Sequence, residues 1–476
     1  MIPSAFSRLL PLLGLLLLLA LPTQATHIVG AEISYAPVAG DHRRYLVTAK
    51  VYRETVNGQV NFGPEIELHC RLNGCSAGNP TNFKDRLTRI STSFLSYTGC
   101  TGGPTIEQQV FVGEVNFPNV GLWTMSLFEA NRTRSIVNLV NSDFYTMYAE
   151  AQVNVLSAMP ANTSPVFSST LLPSICGSQF HRFSFAAFDA DGDSLVYHMT
   201  DPQGTPAGGV DFCPAPIPAT PSPHFTVNSA SGELATGPFT LTIGNYIMAV
   251  RVDEYRRVAS QWTKIGSVMR DIMYPVRSSS GNLNPTFTTL TVSGTTQPVG
   301  QLVRVNPGRT VSLTLTATDQ NAGQALRFST DALIPGVTLQ TLSATQARLT
   351  WQIPANQPLG RYTIPVVVAD NACPINGTET RTLTVQVTNL VLSSQPPQPR
   401  FELSAYPMPF REQVRFQLAG PGAQPVQILD GLGRVVAELR SQADGTVSWR
   451  PAASLAPGLY LARTPDGRQV ARLLRE

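Results

Sequence analysis

Lysine is nearly missing from this chain: 3 lysines stand against 31 arginines, and all charged residues together make up only 14% of 476 residues. The net charge of +3 is spread without a basic cluster. Nucleic-acid binding begins with clustered cations on phosphate, so the sequence offers no footprint for that class of partner. We read the arginine bias as genomic composition. Catalytic signatures are lacking as well. HExxH, a Walker-type glycine loop and a GxGxxG after a strand do not occur, and His27, His42, His69, His181, His198 and His224 stand apart from one another. Glu65 and Glu67 are the closest approach to the paired carboxylates of a β-sandwich glycosidase, but at i and i+2 of an alternating strand they mark its solvent face. A non-enzymatic role is expected. A carbohydrate-binding accessory protein is the alternative, and a polysaccharide hydrolase stands further off. Trp123, Trp262, Trp351 and Trp449 serve either sugar stacking or the core.

Long apolar runs are confined to the N-terminus. Arg8 precedes the run Leu9 to Leu21, and Thr23-Gln24-Ala25 supplies small residues for cleavage, the pattern of a signal peptide over residues 1–25. Elsewhere nothing approaches the roughly 20 residues of a transmembrane helix. Six cysteines, Cys70, Cys75, Cys100, Cys176, Cys213 and Cys373, suit an exported chain in which thiols oxidise. No CxxC occurs, and a zinc site would have to recruit His69 beside Cys70. We expect Cys70, Cys75 and Cys100 to staple loops of a first domain and Cys176 to pair with Cys213. Cys373 is then left to Cys100 or Cys75, or stays free.

What the chain does contain is turn formers and period-two alternation. With 36 glycines and 38 prolines, the composition predicts strands, turns and few helices. In "YLVTAKVY", Tyr45, Val47, Ala49 and Val51 share one face, and "VSLTLTATD" and "TLTVQVTN" repeat the pattern with Thr outward. Pro and Asn clusters at "MPANTSPVF" and "GNLNPTF" mark domain edges. The segments that follow share a skeleton: "FSFAAFDADGDSLVYHM" aligns with "LTLTATDQNAGQALRFS", and "GNYIMAVRVDE" with "GRYTIPVVVAD". An internal repeat of about 120 residues suits immunoglobulin-like or cadherin-like sandwiches. The expected architecture is all-β: an N-terminal β domain (26–158), two tandem sandwiches (159–281 and 282–389), a Pro-rich linker (390–402) and a small C-terminal β-sandwich (403–476).

In "FDADGDSLVY", Asp189, Asp191 and Asp193 alternate about Gly192, and three hard oxygens can converge there on Ca²⁺. Ser194 and Thr200 stand where an EF-hand needs Gly and Glu, so this is not that loop. The stretch resembles the Asp-x-Asp segment of cadherin repeats, which implies calcium, with Asn162, Asp253 and Glu254 as further oxygen donors. Asp-Gly-Asp is equally the chemistry of a solvated hairpin turn, and the repeat copy keeps only Asp319 of the three acids. Both readings stand.

The tail from Tyr406 resembles the type A C-terminal sorting domain of the type IX secretion system of Bacteroidetes. "YPMPF" (Tyr406, Pro407, Pro409, Phe410) stands where that family has Tyr-Pro-Asn-Pro-Phe, with Met408 in place of Asn. "ILDGLGRVV" matches its hairpin through Leu432, Gly433 and Arg434, and "LAPGLYLART" its strand through Gly458, Leu459 and Tyr460. The resemblance implies passage across the outer membrane through the type IX translocon, cleavage by a sortase-like peptidase, and an extracellular or surface-attached product. The two prolines are expected to hold the chain extended, Tyr406 and Phe410 to anchor it, and Val414, Phe416 and Leu418 to begin a core. At the front, "THIVGAEISY" and "YLVTAKVYRET" resemble surface proteins of gliding Bacteroidetes. The implied role is adhesion or binding of a surface ligand, polysaccharide or protein.

Overall fold

The structure is a computed structural model, and it describes residues 28–55, 62–75, 79–95, 106–129, 132–133, 135–155, 161–169, 175–177, 179–206, 213–217, 225–237, 241–373, 375–389, 401–403, 405–419, 422–431, 433–465 and 469–476. The expected leader, most of the linker, Cys100 and Leu432 lie outside these residues. Among the described residues the only helical segment is a 3-10 turn, Ser142–Phe144, and everything else regular is strand. The chain divides into two compact units, Met1–Leu390 and Val391–Glu476.

The first unit begins with seven strands: β1 (Ile28–Pro37), β2 (Arg44–Glu54), β3 (Glu65–Leu72), β4 (Phe83–Leu95), β5 (Ile106–Asn116), β6 (Gly121–Glu129) and β7 (Met147–Val155). In β2 the alternation expected from sequence holds, with Tyr45, Val47, Ala49 and Val51 buried. The strands pair in the order β1-β2-β5-β4-β3-β6-β7. The next segment contributes short strands β8 (Val166–Phe167), β9 (Ile175–Cys176), β10 (Arg182–Ser184) and β11 (Ala187–Phe188), then β12 (Ser194–Thr200), β13 (Gln203–Gly204), β14 (Ala215–Pro216), β15 (Phe225–Val227) and β16 (Glu233–Thr236). It ends in a long hairpin, β17 (Gly244–Val258) and β18 (Gln261–Arg277).

Strand β18 closes the first set into a ring. Its Gly266–Val268 stretch pairs with β7 and its Arg270–Ile272 stretch with β1. Closure satisfies the edge N–H and C=O groups that an open sheet would expose. One apolar core therefore runs from Ile28 to Val276. The expected division at 158/159 does not separate two cores: the Pro/Asn cluster marks a crossing of the chain, tied down where Ser164 and Tyr35 exchange hydrogen bonds. Because the hairpin serves both ring and sandwich, it is buried on both faces. Its burial is accordingly almost continuous rather than alternating, from Ile265 to Val276.

The third segment is a two-sheet sandwich. Strands β19 (Thr286–Val292), β20 (Thr295–Gln297), β22 (Thr310–Thr318), β24 (Val337–Ser343) and β25 (Gln346–Gln352) form one sheet. Strands β21 (Val303–Val305), β23 (Arg327–Ser329), β26 (Gly360–Ala369) and β27 (Thr378–Val387) form the other. The internal repeat is visible in the registers. Phe167 opposes Ala187 as Phe287 opposes Ala317, β10-β16-β15 corresponds to β22-β25-β24, and β12-β17-β18 to β23-β26-β27. The sequence alignment slips by one residue in the acidic loop. Tyr197 opposes Val252 and Phe328 opposes Val368, which equates Tyr197 with Phe328 and Gly192 with Gly323, both at φ +81°.

The second unit is a sandwich with its own core of Phe410, Val414, Phe416, Leu418, Trp449, Tyr460 and their neighbours. Strands β28 (Phe401–Glu402), β35 (Gln469–Arg475), β34 (Gly458–Arg463), β31 (Pro425–Leu429) and β32 (Val435–Arg440) make one sheet; β29 (Ala405–Tyr406), β30 (Val414–Gln417) and β33 (Thr446–Trp449) make the other. Phe401 and Glu402 pair with β35, so the unit starts two residues inside the expected linker. The Pro407–Pro409 stretch bends instead of running extended, with both prolyl bonds cis.

One device is common to all three sandwiches. Tyr246, Tyr362 and Tyr460 each donate a hydroxyl hydrogen bond to the carbonyl four residues upstream, Thr242 at 3.2 Å, Pro358 at 2.8 Å and Ala456 at 2.6 Å. Each follows a glycine by two residues. This tyrosine corner locks the start of a strand onto the preceding loop. The rings of Trp351–Tyr362 and Trp449–Tyr460 even meet alike, both at 5.2 Å and near 63° and 66°.

Candidate functional site

The acidic loop lies at the pole where the first repeat begins, and it is not a solvated turn. Asp189, Asp193 and Glu254 are buried and bring carboxylate oxygens within 4.8 Å of one another. Asp189 and Asp193 are placed by the turn after β11, and Glu254 projects inward from β17. Asn162 is the hub. Its Nδ2 donates to Glu254 Oε2 at 2.6 Å and to Tyr35 Oη at 3.3 Å, while its Oδ1 accepts from Arg256 Nη2 at 2.7 Å. Arg256 also donates to Asp193 at 2.8 Å and Asp191 at 2.9 Å. The Asp193 N–H closes the turn onto Asp189 Oδ1 at 2.8 Å.

Charge in this pocket does not balance. Arg256 is committed to Asp193 and Asp191, while Asp189 Oδ2 and Glu254 Oε1 are buried without a hydrogen-bond donor. Burial pushes the Asp189 carboxyl up to about 6, and burial together with the facing Asp189 holds Glu254 well above its usual range. Two carboxyls facing each other this way share a proton or hold a cation between them; bare, they repel in a low dielectric. The donor set fits calcium, a hard cation satisfied by oxygen.

Two expected donors fall outside the cluster. Asp191 is turned to the Thr163 N–H at 2.9 Å and to Arg256, a capping role. Asp253, one residue from Glu254 on the same strand, faces the opposite side and pairs with Arg251 at 2.9 Å and Lys264 at 2.7 Å. Gly192 has a separate task. At φ +81°, a Cβ there would meet Pro358 Cβ at 2.5 Å, so only glycine lets the third segment seat against this loop.

Beside the cluster a cavity of about 560 Å³ opens between the first repeat and the second. Trp262, near the tip of the β17–β18 hairpin, stands at its wall and is 63% exposed. The other three tryptophans are core residues.

The cysteines differ from expectation. Cys75, in the loop after β3, is bonded to Cys213, in the loop before β14, across 138 residues of sequence. The pairing of Cys176 with Cys213 is therefore not formed, and Cys70 and Cys176 are free and buried. Cys70 points into the core from an alternating strand, and burial raises its thiol pKa. Cys373 is also disulfide-bonded. His69 bonds Glu67 at 2.9 Å, not a metal cluster with Cys70.

In the C-terminal unit the motif residues separate into two groups. Phe410 is buried, Tyr460 makes its corner, and Gly433 and Gly458 supply φ of +81° and +150°. Arg434 Nε donates to Asp430 at 2.8 Å across the hairpin turn. By contrast Tyr406, Pro407 and Pro409 are exposed, Tyr406 at 81%, so Tyr406 does not anchor the unit's core. Leu459 is 56% exposed and opposes exposed Leu474, whose N–H donates to Met408 Sδ at 3.0 Å.

No protein-family model and no curated sequence matches this chain. Solved structures with some similarity include the Protocadherin GammaB4 extracellular domain, at 12% identity and TM-score 0.18, covering 82% of this chain and 61% of that one. The N-terminal four Ig domains of Dscam1 isoform 6.9 match at 11% identity and TM-score 0.19 over 94% of this chain and 100% of that one. The endo-fucoidan hydrolase MfFcnA4 of glycoside hydrolase family 107 matches at 13% and TM-score 0.17, covering 63% of this chain and 39% of the hydrolase. At such values the likeness says nothing about ligand or activity.

Proposed function

We propose that this chain is a non-enzymatic binding scaffold of a bacterial surface, exported by the type IX secretion system. In this reading the ring and two sandwiches of Met1–Leu390 present the binding surface, and residues 403–476 are the address read by the translocon and removed by a sortase-like peptidase. The observation that carries the proposal is the independence of the tail. Among the described residues its sheets pair only with one another and its core is its own, as a detachable module requires. The exposure of Tyr406, Pro407, Pro409 and Leu459 supports it further: those motif side chains do no visible work inside the fold and are free to be recognised.

Removing residues 403–476 is expected to leave the remaining chain folded but trapped in the periplasm, measured by surface proteolysis and fractionation of the producing cell. Normal surface display of the truncated chain would refute the export role while leaving the scaffold intact.

Calcium belongs to the same proposal, held by Asp189, Asp193 and Glu254. There it would neutralise the surplus carboxylate charge and stiffen the pole at which the repeats meet.

A further inference from the structure

The cavity beside the acidic cluster has a composition that the acids do not explain. Its basic side chains are Arg256, Arg257 and Arg361, and its one carboxylate, Asp193, is already bound by Arg256. Among the described residues no carboxylate pairs with Arg257 or Arg361; Arg257 has only a long hydrogen bond, 3.5 Å, to the Ser260 carbonyl. Both guanidiniums are exposed. Arg257 lies directly across the hairpin from Trp262, so ring and cation leave the sheet on the same side. Arg361 approaches from the opposite wall, at the start of β26. Gln386 and Thr388 add uncharged donors and acceptors from the end of β27.

An indole in water forfeits the burial that the other three tryptophans obtain, and two unpaired guanidiniums across one cavity are matched to an oxyanion that can accept from both. The flat ring face suits the apolar face of a pyranose, and the amide and hydroxyl suit its hydroxyls. The geometry points to this cavity as a binding site for an acidic polysaccharide, one sugar stacked on Trp262 with its carboxylate or sulfate held by Arg257 and Arg361. Nucleic acid fits less well, because no basic stripe leads away from the cavity. The assignment deepens the proposed binding role by naming the ligand class, and it does not depend on the route of export.

The test is affinity electrophoresis and isothermal titration of the full mature chain against polygalacturonate, dextran sulfate, neutral dextran and an oligothymidylate. We expect saturable binding to polygalacturonate or dextran sulfate that weakens with salt, and none to neutral dextran. Trp262→Ala and Arg361→Gln are each expected to weaken it about tenfold or more, with thermal unfolding unchanged. Since Trp262 is the exposed indole, ligand-induced change in tryptophan fluorescence should vanish in Trp262→Ala. Unaltered affinity in both variants, equal binding of neutral dextran, or tighter binding of the oligothymidylate would each overturn the assignment. Normal surface display of Trp262→Ala, with polymer binding lost, separates this result from a failure of the export role.

Discussion

The two repeats build the same pole with different chemistry. In the first, Asn162 donates to Glu254 and accepts from Arg256; in the second, Asn282 Nδ2 donates to Asp370 Oδ2 at 2.8 Å and its Oδ1 accepts from Gln324 Nε2 at 2.9 Å. Asp191 caps the Thr163 N–H as Asn321 caps that of Leu283, both near 2.9 Å. The asparagine hub and the cap are therefore scaffold, present wherever the repeat is. What differs is the balance of charge. Asp370 is met by the backbone N–H groups of Gly377 at 2.9 Å and Ala372 at 3.0 Å, so that carboxylate is satisfied from within the fold. Glu254 has no such donors, faces Asp189, and leaves an oxygen bare. Common parts are structural, and the unbalanced remainder, Asp189 and Glu254, is where a ligand is to be sought.

The sharpest way to break this comparison is to remove each hub. Asn162→Ala should cost about 3 kcal/mol, because it strips the last donor from a buried carboxylate and leaves Tyr35 and Arg256 short of a partner. Asn282→Ala should cost about 1–2 kcal/mol, since Asp370 keeps its backbone donors. Urea unfolding of the two variants measures the difference. Equal losses would mean that the charge imbalance has no energetic weight.

Calcium sharpens the comparison next. A cation that binds only the folded chain raises its stability, by about 2.7 kcal/mol at a hundredfold excess over Kd. Thermal unfolding of the wild type should therefore shift upward with Ca²⁺, Glu254→Gln should abolish the shift, and Asp319→Asn, in the second repeat, should leave it intact. No shift in the wild type would assign Asp189 and Glu254 to a shared proton.

How much of this was legible in the sequence depends on the reach of each interaction. Alternation in "YLVTAKVY" and "VSLTLTATD" is local, and the buried faces follow it. The repeat was legible because its skeleton recurs in order, although its one-residue slip at Gly192 and Gly323 emerges only from the pairing of Tyr197 and Phe328 with β17 and β26. The ring was not legible. Closure by β18 joins residues more than 100 positions apart, and an alternating strand carries no mark of which edge it will meet. The disulfide failed for the same reason: Cys75 and Cys213 become neighbours only because ring and first repeat share a core. At the acidic loop the sequence shows which acids stand near one another but not where they point, since a one-residue step along β17 sends Asp253 and Glu254 to opposite faces.

The smallest effect bears on the C-terminal unit, where the same separation of scaffold from remainder can be applied. Gly458-Leu459-Tyr460 belongs to the export resemblance, yet Tyr460 makes the corner that Tyr246 and Tyr362 make in the repeats. Tyr460→Phe should then cost about 1 kcal/mol, the usual worth of one hydrogen bond, and leave export unaltered as long as the unit stays folded. Leu459→Ser should do the reverse: with 56% of the side chain in solvent, little burial is lost, while a face open to recognition is changed. Unfolding midpoints and surface display of the two variants decide the matter. If Leu459→Ser is displayed as well as the wild type and Tyr460→Phe is not, the tyrosine itself is being read, and its hydroxyl has a second role besides the corner.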